Sequence, residues 1–243
     1  DAAAQSFGGL VHANDGLVTP AIADIFPGTL MALGVVSAMH SAQRSGKGQF
    51  LDVGMYDAMM AFQKSAVAQY GFTGKPNPAG LQRAMTLYPF DLFPTKDGRI
   101  AIAVGQPRHW DLLCAAMERA DLMEDERSFS NEARLANVDW VEAQICAWTQ
   151  TQTRAEIMAK LDGAIPIGPV QTMADIYADP HVQARGMLET CSPAGDNPDI
   201  ALAASPIKFS ATPTTLYQRP PTLGEHNAEV LAEFGIEPPK RNG

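Results

Sequence analysis

The stretch Pro20–Ala58, PAIADIFPGTLMALGVVSAMHSAQRSGKGQFLDVGMYDA, limits the possible folds of this chain more than any other. Its centre reads as a helix over about 27–44, where Leu30, Met31, Leu33, Val35, Val36 and Met39 leave no polar face. A helix that is apolar all round is buried all round, so this one needs cover on more faces than a short piece of chain supplies. The apolar run itself, Ile25–Met39, is broken by Pro27, Gly28 and Gly34. It falls short of the ~18 continuous apolar residues of a membrane span, and no span is expected. SGKGQ at 45–49 has glycines around a lysine, as phosphate loops do, but no Ser or Thr follows Lys47 and a helix precedes it. It reads as a helix C-cap and turn. Phe50–Val53 then reads as a strand, and Met55–Tyr70 as a helix ended by Gly71 and Gly74.

Just ahead of the apolar run stands a lone acid, Asp24, followed by Ile25, Phe26, Pro27 and Gly28. That places it at or next to a helix start. A carboxylate there meets the unpaired N–H groups of the first turn and the positive end of the helix dipole. Two uses are open on this reading. Asp24 is either an N-cap, the commonest role of an acid in that position, or a nucleophile held in place by the helix start.

The chain has 243 residues, enough for one large domain or two smaller ones. Its charge, 18 cationic against 27 anionic side chains for a formal −9, with no Lys/Arg block, argues against a nucleic-acid partner. Cys114, Cys146 and Cys191 are few, odd in number and far apart. Such a set argues against a disulfide framework and fits a reducing cytoplasm. The five histidines share no metal-type spacing, and no GxSxG elbow is present. The opening DAAAQSFGGL reads as the tail of a helix that stops at Gly8-Gly9, so an upstream segment is expected.

After a loop over 11–23, the apolar helix and the second helix, composition changes. Residues 73–89, TGKPNPAGLQRAMTLYP, are rich in proline and glycine and read as a linker or an active-site loop. Asp97-Gly98 turns into a strand over 99–104, and Pro107 opens a helix through Trp110 and Leu113. Asn137 is placed to cap the next helix, and Thr153 with Glu156 forms a capping box for the one after it. Ile165–Val170 reads as a sheet-edge strand, bounded as it is by prolines. A helix over 172–185 is expected to break at Asp179-Pro180. The last part alternates short strands, 187–190 and 207–209, with polar loops before a final helix, 225–234. Composition and periodicity alone give mixed α/β.

The segments QSFGG (5–9), PAIADIFPG (20–28) and RSGKGQFLDVGMYD (44–57) resemble the family III CoA-transferases. That group includes formyl-CoA transferase, the carnitine CoA-transferases and α-methylacyl-CoA racemase. FPTKDGRIAIAVG (93–105), ANVDWVEAQI (136–145), IPIGPVQTMADIYADPHVQARGML (165–188) and PPTLGEHNAEVLAEFG (220–235) continue the likeness in the family's order.

The resemblance implies an α/β architecture with two interlocked subunits. Residues 1–72 would be the later part of a Rossmann-like large domain, 73–89 a linker, 90–186 a small inserted α/β domain, and 187–243 a segment returning to the large domain. The family's first half, which holds most of its CoA-binding positions, would lie outside this sequence. Asp24 matches the family's nucleophilic aspartate, which attacks an acyl-CoA thioester and carries the CoA as an aspartyl thioester. Gly80, in the Gly/Pro-rich stretch 74–82, loosely matches the glycine loop that covers this intermediate; a plain interdomain linker is the other reading. The implied reaction moves CoA from an acyl-CoA to a carboxylic acid acceptor. It needs no metal and no cofactor beyond the CoA thioester that is its substrate. The implied assembly is a cytoplasmic homodimer with neither membrane nor nucleic acid as partner. Two alternatives accompany the resemblance: epimerisation at the α-carbon, as in the racemases, and a non-catalytic relative that serves as a binding or assembly module.

Overall fold

A computed structural model describes residues 1–80, 86–193, 198–214 and 219–236. The chain divides into two compact units, Asp1–Pro169 and Val170–Gly243.

The first unit opens with two short helices, α1 (Ala2–Phe7) and α2 (Leu10–Asn14), then the long α3 (Ile22–Ser45), α4 (Met55–Phe62) and α5 (Lys64–Thr73). A small apolar cluster ties α1 through α4 together: Leu10, Ala23 and Met59 are buried, with Ala4, Val18, Ile22 and Phe26 against them. Phe26 on α3 meets Phe62 on α4 edge-on, ring centres 5.3 Å apart. A Cβ at Gly8 would overlap the Met59 side chain, so only glycine lets the end of α1 lie against α4. The Gln63 amide donates to the Gly8 carbonyl at the same crossing.

Beyond residue 85 the first unit carries its main core. Strands β1 (Phe90–Thr95) and β2 (Gly98–Ala103) form a hairpin in which Phe93 pairs with Ile100. Then come α6 (Pro107–Ala116), a 3-10 turn (Ala120–Met123), α7 (Asn131–Ala136), α8 (Val138–Thr149), α9 (Arg154–Leu161) and β3 (Ile167–Pro169). The sheet order is β1-β2-β3, antiparallel throughout. Phe93, Ile100 and Ile102 turn one face of this sheet to Trp110, Leu113, Val141, Ile145, Ile157 and Leu161 from the helices. Trp110 and Arg134 close one end. The indole Nε1–H donates to the Leu122 carbonyl at 3.3 Å, and the guanidinium lies 4.8 Å from the Trp110 ring centre. Cys114 is buried in this core, and burial pushes its thiol up to about 12.

The second unit begins with α10 (Met173–Ala178) and α11 (Pro180–Ala184), followed by the antiparallel pair β4 (Leu188–Cys191) and β5 (Ile200–Ala203), and α12 (Asn227–Glu233). Thr172 and Asp175 form a capping box on α10, and Asp179 caps α11. The Tyr177 hydroxyl donates to the Ala201 carbonyl at 3.2 Å, joining α10 to the strand pair.

Several expectations hold at residue resolution. The helix over 172–185 breaks at Asp179-Pro180, Pro107 is the first residue of α6, and the Thr153–Glu156 box has both of its bonds. Gly46, with φ 71°, ends α3 as the C-cap the SGKGQ turn predicts. Ile167–Pro169 is an edge strand, as its prolines require.

Others are corrected. Phe50–Val53 is no strand: among the described residues it has no ladder partner, and Phe50 is 92% exposed. Residues 207–209 form no strand either, and β4 instead pairs with Ile200–Ala203. The loop expected over 11–23 contains the end of α2, and β1 was hidden by Pro94, which an edge strand tolerates. The largest correction concerns α3. It starts at Ile22, five residues before the expected start, and takes Pro27 inside, where the ring removes one rung of the helix ladder. It is not buried all round: only Ala23 and Pro27 are fully buried, while Leu33, Val36 and Met39 are exposed. At 24 residues it is long and apolar enough to cross a membrane by length and composition, contrary to the sequence expectation. Core helices of soluble proteins share this length and composition.

Candidate active site

Asp24 occupies the first turn of α3, three residues after the N-cap Ala21, whose methyl side chain offers no cap. It is therefore not an N-cap. The turn closes through Asp24 N and Ile25 N, which donate to the Ala21 carbonyl at 3.0 and 2.9 Å. The Asp24 side chain is 54% exposed, and one of its oxygens, Oδ1, lies 3.2 Å from the main-chain nitrogen of Asp1. Oδ2 has no partner among the described residues. One oxygen thus lies close to the Asp1 nitrogen and the other is unengaged on a half-exposed side chain, which leaves an oxygen available to attack a carbonyl carbon.

The missing cap on α3 is supplied from elsewhere in the chain. The Asp1 carboxylate reaches across, and its Oδ1 accepts from the Ala23 N–H at 3.0 Å. Its other oxygen, Oδ2, accepts from the Gln5 side-chain amide at 2.8 Å, one helical turn on. Gln5 is fully buried and completes its bonding with Val18, donating to the carbonyl at 3.1 Å and accepting from the N–H at 2.9 Å. Sequence reasoning missed Asp1 and Gln5 as parts of this site. The available signal was an acid and an amide at i and i+4, the spacing that brings two helical side chains together.

Gly80 is anchored to the end of α2. Its N–H donates to the His12 carbonyl at the end of α2 at 3.2 Å, and its φ of 66° lies in the left-handed region. A Cβ there would come within 2.9 Å of Asp15 Cβ, so both conformation and space require glycine. His12 Nε2, 3.1 Å from the Asn77 carbonyl, ties the same stretch to α2. Among the described residues no hydrogen bond or ion pair links Gly80 to Asp24. The rest of the proposed loop, 81–82, lies outside the described residues. No cluster of three metal-ligating side chains forms among the described residues.

A family model described as CoA-transferase family III matches residues 1–227. The chain belongs to that family. It is 37% identical over 242 residues to the succinyl-CoA:mesaconate CoA-transferase of Haloarcula hispanica, a match that covers 97% of this chain and 61% of that protein. The succinate–glutarate CoA-transferase of Agrobacterium fabrum is 35% identical over 217 residues, covering 88% of this chain and 54% of that one. Among solved structures, a CAIB/BAIF family protein from Brucella suis superposes with a TM-score of 0.75 at 30% identity. That match covers 95% of this chain and 61% of the other. The chain therefore spans between about half and three fifths of the length of these family members.

Proposed function

We propose that this chain carries the nucleophile of an enzyme that transfers coenzyme A from an acyl-CoA to a carboxylic acid, and that the nucleophile is Asp24. The observation that carries this reading is the Asp24 carboxylate itself, half-exposed in the first turn of α3 with one oxygen held and the other unengaged. Asp24 Oδ2 attacks the thioester carbonyl, and the C–S bond breaks to give CoA thiolate and a mixed acyl–aspartyl anhydride. The thiolate then attacks the aspartyl carbon and releases the donor acid, leaving an aspartyl-CoA thioester. The acceptor carboxylate attacks that thioester, thiolate leaves again, and its return to the new acyl carbonyl gives the product acyl-CoA and frees Asp24. No proton and no electron changes hands in the balance. The positive end of α3 favours negative charge at this position.

The names of the relatives point to dicarboxylic acids, so succinyl-CoA is the donor to try first and mesaconate the acceptor. Gly80 belongs to the same reading as part of a segment over the intermediate. So do the division into 1–72, 73–89, 90–186 and 187–243, the interlocked homodimer and the cytoplasmic location.

The test uses the complete natural protein. After incubation with succinyl-CoA and treatment with hydroxylamine or borohydride, peptide mass spectrometry should find the modification on the peptide that holds Asp24. Asp24→Ala should abolish transfer with the fold intact; activity within about tenfold of wild type is too much for loss of a covalent nucleophile and would sink the assignment. A parallel reaction in D₂O should leave the recovered acyl-CoA free of α-deuterium. Deuterium at the α-carbon with no trapped adduct would replace transfer by epimerisation.

A further inference from the structure

Gln5 is a fully buried polar side chain in the apolar N-terminal part of the chain, and its side chain bonds to Asp1 and to Val18 in the loop that leads into α3. Burial of an amide is unfavourable unless every strong donor and acceptor is matched. Here both ends are matched, through Val18 and Asp1, so the geometry is fixed rather than fluid. Asp1 transmits that geometry in two ways. Its carboxylate bonds to the Ala23 N–H, the residue before Asp24, and so sets where α3 begins. Its main-chain nitrogen lies 3.2 Å from Asp24 Oδ1. That separation is within reach of a hydrogen bond from the Asp1 nitrogen to Oδ1.

We propose that Gln5, acting through Asp1, is a positioning residue for Asp24: it holds the unreactive oxygen of the carboxylate and so aims the reactive one. This rests on the assignment of Asp24 as nucleophile. A carboxylate at a helix start has free rotation about its Cβ–Cγ bond and two equivalent oxygens. An attack along one line on a thioester carbon gains when that rotation is stopped before substrate arrives, because orientation enters the barrier directly. Gln5 touches neither substrate nor the reacting atoms. Its effect should therefore appear in the chemical step and not in substrate affinity.

The experiment compares Gln5→Leu, Asp1→Asn and Asp24→Ala in the complete protein, with steady-state kinetics on succinyl-CoA and the single-turnover rate of adduct formation on the Asp24 peptide. Gln5→Leu keeps the volume and loses all three bonds. It should lower kcat by about 10- to 100-fold with KM for the acyl-CoA held within about threefold. The rate of adduct formation should fall by the same factor. A folded Gln5→Leu protein with kcat within about twofold of wild type, or one whose loss lies in KM alone, overturns the proposal. Should Gln5→Leu fail to fold, Asp1→Asn decides in its place. Its Oδ1 still accepts from Ala23 and keeps the helix start, but its amide meets the Gln5 amide donor-to-donor. A fall in kcat at constant KM is then expected, and an unchanged kcat overturns the proposal. If Asp24→Ala keeps activity, the nucleophile assignment has failed and the positioning role falls with it; a dead Asp24→Ala beside a fully active Gln5→Leu removes the positioning role alone.

Discussion

Arg134 shows how a single charge is held inside this protein. The residue is 3% exposed, and its guanidinium donates from Nε to the Tyr88 carbonyl at 2.6 Å and from Nη1 to the Ser128 carbonyl at 2.8 Å and lies over Trp110. Burial lowers its affinity for the proton. Two buried hydrogen bonds to carbonyls run through it, so Arg134→Met should cost about 2–4 kcal/mol in a urea melt, chiefly from the loss of those charged bonds. Arg134→Lys, which can reach only one of them, should recover less than half. Equal stability of the Met variant would show that water takes over both bonds. Asp24 was legible at this scale because an acid before an apolar run marks a helix start. Asp1 and Gln5 were not: their meaning depends on the chain returning after Gly16 to lay α3 beside α1, which no local pattern announces.

At the scale of elements, local chemistry was the reliable guide. The capping box at α9, the break before Pro180 and the C-cap at Gly46 each depend on a few adjacent residues. The strand at Phe50–Val53 was misread because a strand exists only through its neighbours, and the described residues supply none. The α9 box also makes a pH prediction. The Thr153 N–H and then its hydroxyl donate to the Glu156 carboxylate and hold its carboxyl below the usual range. A folded-state value below the unfolded one stabilises the fold above the ordinary Glu value of about 4.3, and that contribution is lost as pH falls through the folded value. Glu156→Gln should therefore melt at a lower temperature than wild type at pH 7, and the gap should shrink toward pH 3. A gap unchanged across that range would remove Glu156 ionisation from the cap.

The whole molecule is uneven in how well it covers itself. The sheet and helices between Phe90 and Pro169 enclose a full core, while α3 offers Leu33, Val36 and Met39 to solvent at 64, 65 and 57% exposure. Exposed apolar surface on this scale drives association. The 243-residue chain should self-associate at micromolar concentration and enhance the fluorescence of an apolar dye, and Val36→Glu with Met39→Glu should reduce both, read by sedimentation velocity and dye titration. A monodisperse monomer that ignores the dye would show that α3 is adequately covered in solution. The apolar run in the sequence announced a helix in need of neighbours, and only the structure locates the bare side. The same helix carries Asp24 at its first turn, so under the proposed chemistry one element both recruits cover and presents the nucleophile. Under the proposed interlocked homodimer, a copy of this chain that has not found its partner is then an unfinished enzyme as well as a sticky one. Newly made chains would acquire activity at the moment of assembly, and a lesion far along α3 that spoils docking would register in an assay as a catalytic defect.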